Sequence, residues 1–98
     1  MTGTVFALVY SRTSREQIRN LYPDLKRVIR ERLDLLAENP FLGKRLQREL
    51  SGYFSYRTNR YRIIYKIKEA DQRVEIHYVG HRRDIYELFK DIVEIEAK

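Results

Sequence analysis

The sequence predicts a single α+β domain ordered β-α-α-β-β-β-α, with two N-terminal helices on one face of a small, mainly antiparallel sheet and a short C-terminal helix. Three observations carry that prediction. Leu25, Val28, Ile29, Leu33 and Leu36 recur at spacings of three and four, the period of a helix with one buried face. Between Tyr53 and Val79 apolar residues recur at every second position, the period of strands. Turn residues punctuate the two regimes: Pro23, Asn39-Pro40, Asn59-Arg60 and Gly80.

In chain order, Val5 to Ser11 is apolar on both faces and predicts a short central strand. Thr13-x-x-Glu16 and Ser14-x-x-Gln17 are capping-box patterns that open a first helix, with Ile18 and Leu21 on its apolar face. Pro23 suits the first turn of a second helix, and Asp24 sits near the positive end of its dipole. Asn39-Pro40 ends it. Phe41 to Gly52 has Leu42, Leu46 and Leu50 at every fourth residue and predicts a loop or poorly formed helical turn, leucines on the core and basic residues outward. Three strands follow as a meander: Tyr53–Thr58, Tyr61–Lys68 and Arg73–Val79. In that reading Phe54, Tyr56, Tyr61, Ile63, Tyr65, Ile67, Val74, Ile76 and Tyr78 face the helices. Arg57, Arg62 and Lys66 stand on the opposite, open face. Arg83 to Val93 predicts the terminal helix, with Ile85, Leu88, Phe89 and Ile92 as its stripe.

The absence of cysteine excludes a disulfide framework, a thiolate metal site and a thiol nucleophile, and suits a reducing compartment. The N-terminal stretch has no basic n-region and no long apolar run, and no segment has the length of a membrane span; a cytoplasmic protein is expected. The net charge of +6 is unevenly placed. Lys44, Arg45, Arg48, Arg57, Arg60, Arg62, Lys66 and Lys68 lie in one segment with Glu49 as its only acid, so that segment holds the entire excess. Like charges facing each other on neighbouring strands are destabilising, so a strand pair that tolerates them points to a polyanion, with nucleic acid foremost. Tyr53 is the tyrosine of this region best placed to stack on a base.

The stretch from Val79 to Tyr86, VGHRRDIY, is a second concentration of chemistry. His81 brings an imidazole, the side-chain type suited to proton transfer, Arg82 and Arg83 are cations, and Tyr86 follows one turn later. Two readings stay open on residue types: general acid–base chemistry on a phosphodiester, or a helix cap that only binds phosphate. His77, mid-strand, is expected at the surface. Asp84, Glu87, Asp91 and Glu94 read as a solvated acidic face. No stretch has metal-ligand spacing or a glycine-rich phosphate loop, so no metal or cofactor is expected.

These motifs, Leu50-Ser-Gly-Tyr53, Tyr61-Arg-Ile-Ile-Tyr65 and VGHRRDIY in that order after a helical hairpin ending in Asn39-Pro40, resemble the RelE/ParE superfamily of type II toxin–antitoxin toxins over nearly the whole chain. The resemblance implies, for a RelE-like member, a metal-independent endoribonuclease. It would cut mRNA in the ribosomal A site by attack of the ribose 2′-hydroxyl on the adjacent phosphate. Arg62 and Arg82 then resemble the arginines that stabilise the phosphate. Tyr86 resembles the aromatic that orients the base or assists proton transfer, and His81 is a candidate base. Arg57, Arg60, Lys66, Tyr53 and Arg45 form the expected RNA-binding set. The best-studied RelE carries groove lysines at approximately the positions where this chain has Tyr53 and Ser55. The resemblance also implies a cognate antitoxin and a toxin–antitoxin hetero-oligomer. The alternatives are a ParE-like inhibitor of DNA gyrase without nuclease activity, or a non-catalytic module that pairs only with its antitoxin.

Overall fold

A computed structural model describes residues 5–58 and 60–81. Helices α1 (Arg12–Arg19) and α2 (Pro23–Glu38) lie against one face of a sheet built from β1 (Ala7–Tyr10), β2 (Lys44–Arg45), β3 (Phe54–Thr58), β4 (Tyr61–Lys68) and β5 (Arg73–His81). The spatial order is β1-β5-β4-β3-β2. Strands β3, β4 and β5 form the antiparallel meander that the alternation predicts, while β1 pairs with β5 in parallel. The terminal helix expected over 83–93 lies outside the described residues. No described helix is long and apolar enough to cross a membrane.

The stripe on α2 delivers the main core. Ile29, Leu33 and Leu36 are fully buried against Ile63, Tyr65, Val74, Ile76 and Val79. Each such aliphatic side chain contributes about 1.5–3 kcal/mol of burial energy. Pro23 occupies the first turn of α2, where its missing N–H leaves no hydrogen bond unmade.

Three expectations are corrected. First, β1 is an edge strand rather than a central one. Its four apolar or small residues suggest burial on both sides, but only Leu8 and Tyr10 pack on the core, and Val9 is exposed. Second, the N-cap of α1 is Ser11, not Thr13 or Ser14: its Oγ accepts the Ser14 N–H at 3.1 Å. Third, the segment after α2 does contain short helical turns, as one of the two expectations had it, but its leucines do not lie together on the core. A 3-10 turn at Pro40–Leu42, the two-residue β2 and a second 3-10 turn at Arg48–Leu50 follow one another. Leu42 is exposed, whereas Leu50 is buried with Ile64 and Tyr78 on the face away from the helices, and Leu46 and Tyr53 pack around them. That face is therefore partly covered by the chain's own 46–53 segment.

The register explains a further departure. Tyr65 pairs with Ile76 but Ile64 pairs with Tyr78, so His77 is an extra residue in β5. This β-bulge turns Tyr78 to the face opposite Ile76 and puts Val79 into the main core, breaking the alternation that places Tyr78 beside Val74 and Ile76. A bulge disrupts the ladder and frees backbone polar groups. One face of α1 supplies partners for the backbone around it. The Ser14 hydroxyl donates to the Ile76 carbonyl at 2.8 Å, the Ser11 hydroxyl donates to the His77 carbonyl at 3.1 Å, and the Gln17 Oε1 accepts the Val79 N–H at 2.7 Å. Ser14 is fully buried. Ser14→Ala is expected to destabilise the fold by about 0.5–1.5 kcal/mol in urea unfolding, because it removes a buried hydrogen bond while the Ile76 carbonyl keeps the Ser11 N–H at 3.0 Å. A loss below about 0.5 kcal/mol would show that the hydroxyl only fills space.

Candidate nucleic-acid interface

The register of the meander sets which side chains share the face away from the helices. Arg57 on β3 stands directly opposite Arg62 on β4, and Ser55 lies opposite Ile64 on one side and Lys44 on the other. Arg62 donates from Nη1 to the Ser55 hydroxyl at 3.1 Å. Ser55 is itself buried, so its hydroxyl is a fixed anchor that holds the guanidinium in place. Arg57 is exposed. Like charges opposite one another on adjacent strands are unfavourable, and an anion lying over both would offset that.

These residues open into a groove of about 650 Å³ between β2 and β4, lined by Lys44, Arg45, Leu46, Ser55, Arg57 and Arg62 among others. Among the described residues its lining has four cations and no carboxylate. Among the described residues none of Lys44, Arg45 and Arg57 forms an ion pair. Lys44 belongs to the basic segment, but nothing in the sequence singles it out as a site residue. A two-residue strand has no alternation to reveal which of its side chains faces the groove. By register Lys44 shares the face of Ser55, while Arg45 stands opposite Phe54 and lays its guanidinium over that ring, 5.5 Å from the centroid.

The near wall is fixed from inside the protein. Tyr65 is fully buried, its hydroxyl donates to the Pro40 carbonyl at 2.7 Å, and it accepts the Gly43 N–H at 3.0 Å. Burial pushes the phenol up to about 12, opposed by the Gly43 hydrogen bond, so it stays protonated and a donor at neutral pH. A Cβ at Gly43 would collide with that hydroxyl and come within 2.9 Å of the Ser55 carbonyl. Glycine is required there by the close approach of β2 to β3 and not by its φ.

The remaining expected site residues divide into three groups. Lys66 and Tyr53 lie on the same face but further along the strands, past the apolar cluster of Leu50, Ile64 and Tyr78, and do not line the groove. The Lys66 ammonium sits 4.7 Å from the Tyr53 ring centroid, and His77 meets the same ring edge-on at 5.4 Å. The Tyr53 ring is thus engaged within the protein. His77 is half-buried and not simply a surface residue: its Nε2 lies 3.2 Å from Glu75 Oε1. Arg60 is exposed in the turn before β4. His81 pairs with Tyr61, which packs on the main core, and the two rings lie 5.6 Å apart. That parity puts His81 on the helix side, whereas the residue opposite Arg62 is Gly80. The last strand therefore does not bring the His81 imidazole to Arg62. Arg82 and Tyr86 lie outside the described residues.

Comparison with known proteins bears on the family and the fold. Residues 8–86 match the family described as the ParE toxin of the type II toxin–antitoxin system parDE. The chain is 36% identical to the toxin RelG of Mycobacterium tuberculosis over 83 residues, which cover 83% of this chain and 95% of that protein. Its fold is similar to that of a chain in the toxin–antitoxin complex RelBE2 from the same organism, with a TM-score of 0.76 and 32% identity over 83% of this chain and 95% of that one. It also resembles the isolated E. coli RelE toxin, with a TM-score of 0.68 and 20% identity over 89% of this chain and 98% of that one.

Proposed function

The chain belongs to the RelE/ParE superfamily of type II toxin–antitoxin toxins, and from that premise we propose that it is a ribosome-dependent endoribonuclease whose groove between β2 and β4 holds the mRNA strand. The observation that carries the reading is the groove itself: among the described residues, four cations, no carboxylate, and one arginine held by a buried serine. A groove built for phosphate needs the first two features. Catalysis makes use of the third. When the 2′-hydroxyl attacks, the phosphorane gathers more negative charge than the diester, and a guanidinium already fixed in place favours that state without reorganising.

In this reading Arg62 stabilises the phosphorane, Arg57 shares its charge and Lys44 steers the strand into the groove, while Arg45, laid over the Phe54 ring, adds only to the field at its rim. The nucleophile belongs to the substrate, so the protein supplies no covalent group. The resemblance assigns the second phosphate contact to Arg82, and to Tyr86 either orientation of the base or proton transfer. His81, facing the helices, has no part in the groove chemistry. The toxin in this reading is held inactive in a hetero-oligomer with a cognate antitoxin, as its likeness to a chain of a toxin–antitoxin complex supports.

A ParE-like inhibitor of DNA gyrase is the competing reading, favoured by the family description that the chain matches. Reconstituted translation of a defined message with the purified protein, mapped by primer extension, separates the two when run beside a gyrase supercoiling assay. Cuts that require the ribosome, with supercoiling intact, are expected. Supercoiling inhibited with the message intact would replace this reading with the other.

A further inference from the structure

The opposite side of the molecule carries a second cleft that the groove chemistry does not use. It has a volume of about 470 Å³ and lies between α1 and α2. Its floor is apolar, made by Ile18, Leu33 and the ring of Tyr10. Its walls are basic: Arg15 and Arg19 stand one turn apart on α1, and Lys26 and Arg30 one turn apart on α2. Asp34 extends the second row by another turn. Among the described residues none of the four cations is in an ion pair. The pKa of Tyr10 is raised by burial and then by the Asp34 charge, with Arg30 opposing.

Cations kept together on both walls of an apolar-floored cleft repel one another until an anion arrives. The floor says that the ligand is not a bare anion. Three of the four cations are arginines, which grip phosphate by paired hydrogen bonds. The row from Lys26 to Asp34 spans only about 12 Å at the helical rise, too short a trough for an amphipathic partner helix of several turns. The volume lies in the range of small-molecule sites, about 300–1,000 Å³. We propose that the α1–α2 cleft binds a nucleoside triphosphate, with its phosphates between the two basic walls, its base on Tyr10, Ile18 and Leu33, and Asp34 accepting a hydrogen bond from an amino or ribose hydroxyl group. This site is independent of the groove and of its proposed activity.

Calorimetric titration of the full chain with ATP, GTP, inorganic triphosphate and adenosine tests it at about 0.15 M salt, where surface charge is well screened. One of the two nucleotides is expected to bind at least about tenfold tighter than triphosphate or adenosine. The exposed pair Arg19→Ala with Arg30→Ala is expected to weaken nucleotide binding by about tenfold or more, and Tyr10→Leu by a smaller factor, while Arg57→Ala changes it by less than about twofold. The proposal is overturned if neither nucleotide binds. Triphosphate binding as tightly as the nucleotides would reduce the cleft to an ion patch and also overturn it. Sensitivity to Arg57→Ala in place of the helix pair would move binding to the groove and overturn it equally. Displacement of the nucleotide by an acidic amphipathic helical peptide that binds more tightly would overturn it by assigning the cleft to a protein partner.

Discussion

Arg62→Ala is expected to lower ribosome-dependent mRNA cleavage by about 10²–10³-fold, the usual cost of removing one preorganised charge donor from a transition state. The size follows from position. Arg62 is half-buried on β4, donates to the buried Ser55 hydroxyl, and stands directly across from Arg57. Removing it takes away a fixed charge while also relieving a cross-strand repulsion. The buried Ser55 hydroxyl loses a donor while the repulsion from Arg57 goes, so the unfolding free energy is expected to fall by no more than about 2 kcal/mol. Arg62→Lys is expected to recover little of the rate, because a single ammonium on a flexible stem cannot both hold Ser55 and face phosphate with paired donors. Single-turnover cleavage on programmed ribosomes, with urea unfolding of the same preparations, measures both halves. Lost activity together with a large loss of stability would make Arg62 structural; full activity in Arg62→Ala would remove it from the chemistry.

Gly43→Ala has the largest expected effect on the scaffold. The new methyl would meet the Tyr65 hydroxyl and the Ser55 carbonyl, which is backbone and cannot rotate away. Either β2 lifts from β3, or Tyr65 gives up its hydrogen bonds to Pro40 and Gly43 inside the core. Overpacking and a stranded buried hydroxyl together cost about 2–5 kcal/mol. Because β2 carries Lys44 and Arg45, RNA affinity is expected to fall with stability. A double-mutant cycle with Tyr65→Phe isolates the cause. Removing the hydroxyl relieves one of the two collisions, so the double variant should be more stable than the sum of the single effects by about 0.5–3 kcal/mol. Additive losses would mean that the methyl is resisted by the Ser55 carbonyl alone.

The parts of this molecule that are legible in the sequence are those set by a period. The α2 stripe and the β3–β4 alternation are long enough to declare their faces, so Ile29, Leu33, Ile63 and Tyr65 fall where the pattern puts them. Arg57 and Arg62 follow from the same alternation, and the structure brings them together. What is not legible depends on single residues that break a period. The extra residue at His77 reverses Tyr78 and Val79, and with them the face of His81. Its backbone is supported by Ser11, Ser14 and Gln17, more than 60 residues away, and local patterning carries no trace of that distance. The edge position of β1 is likewise a tertiary outcome: a run of apolar residues cannot say that only one of its faces meets helices. Leu50 belongs to the main core by its apolar character alone. It instead closes a smaller cluster on the other face, between the groove and the Lys66–Tyr53 pair.

The central claim is that the groove positions an RNA phosphate for attack by its own neighbouring 2′-hydroxyl. A message carrying a single 2′-deoxynucleotide on the 5′ side of the mapped cut tests it most directly in the reconstituted ribosome reaction. Cleavage at that phosphate is expected to disappear while cuts at unmodified positions continue. Cleavage of the deoxy-substituted bond at an undiminished rate would contradict the claim, because the nucleophile would then have to come from water or from the protein.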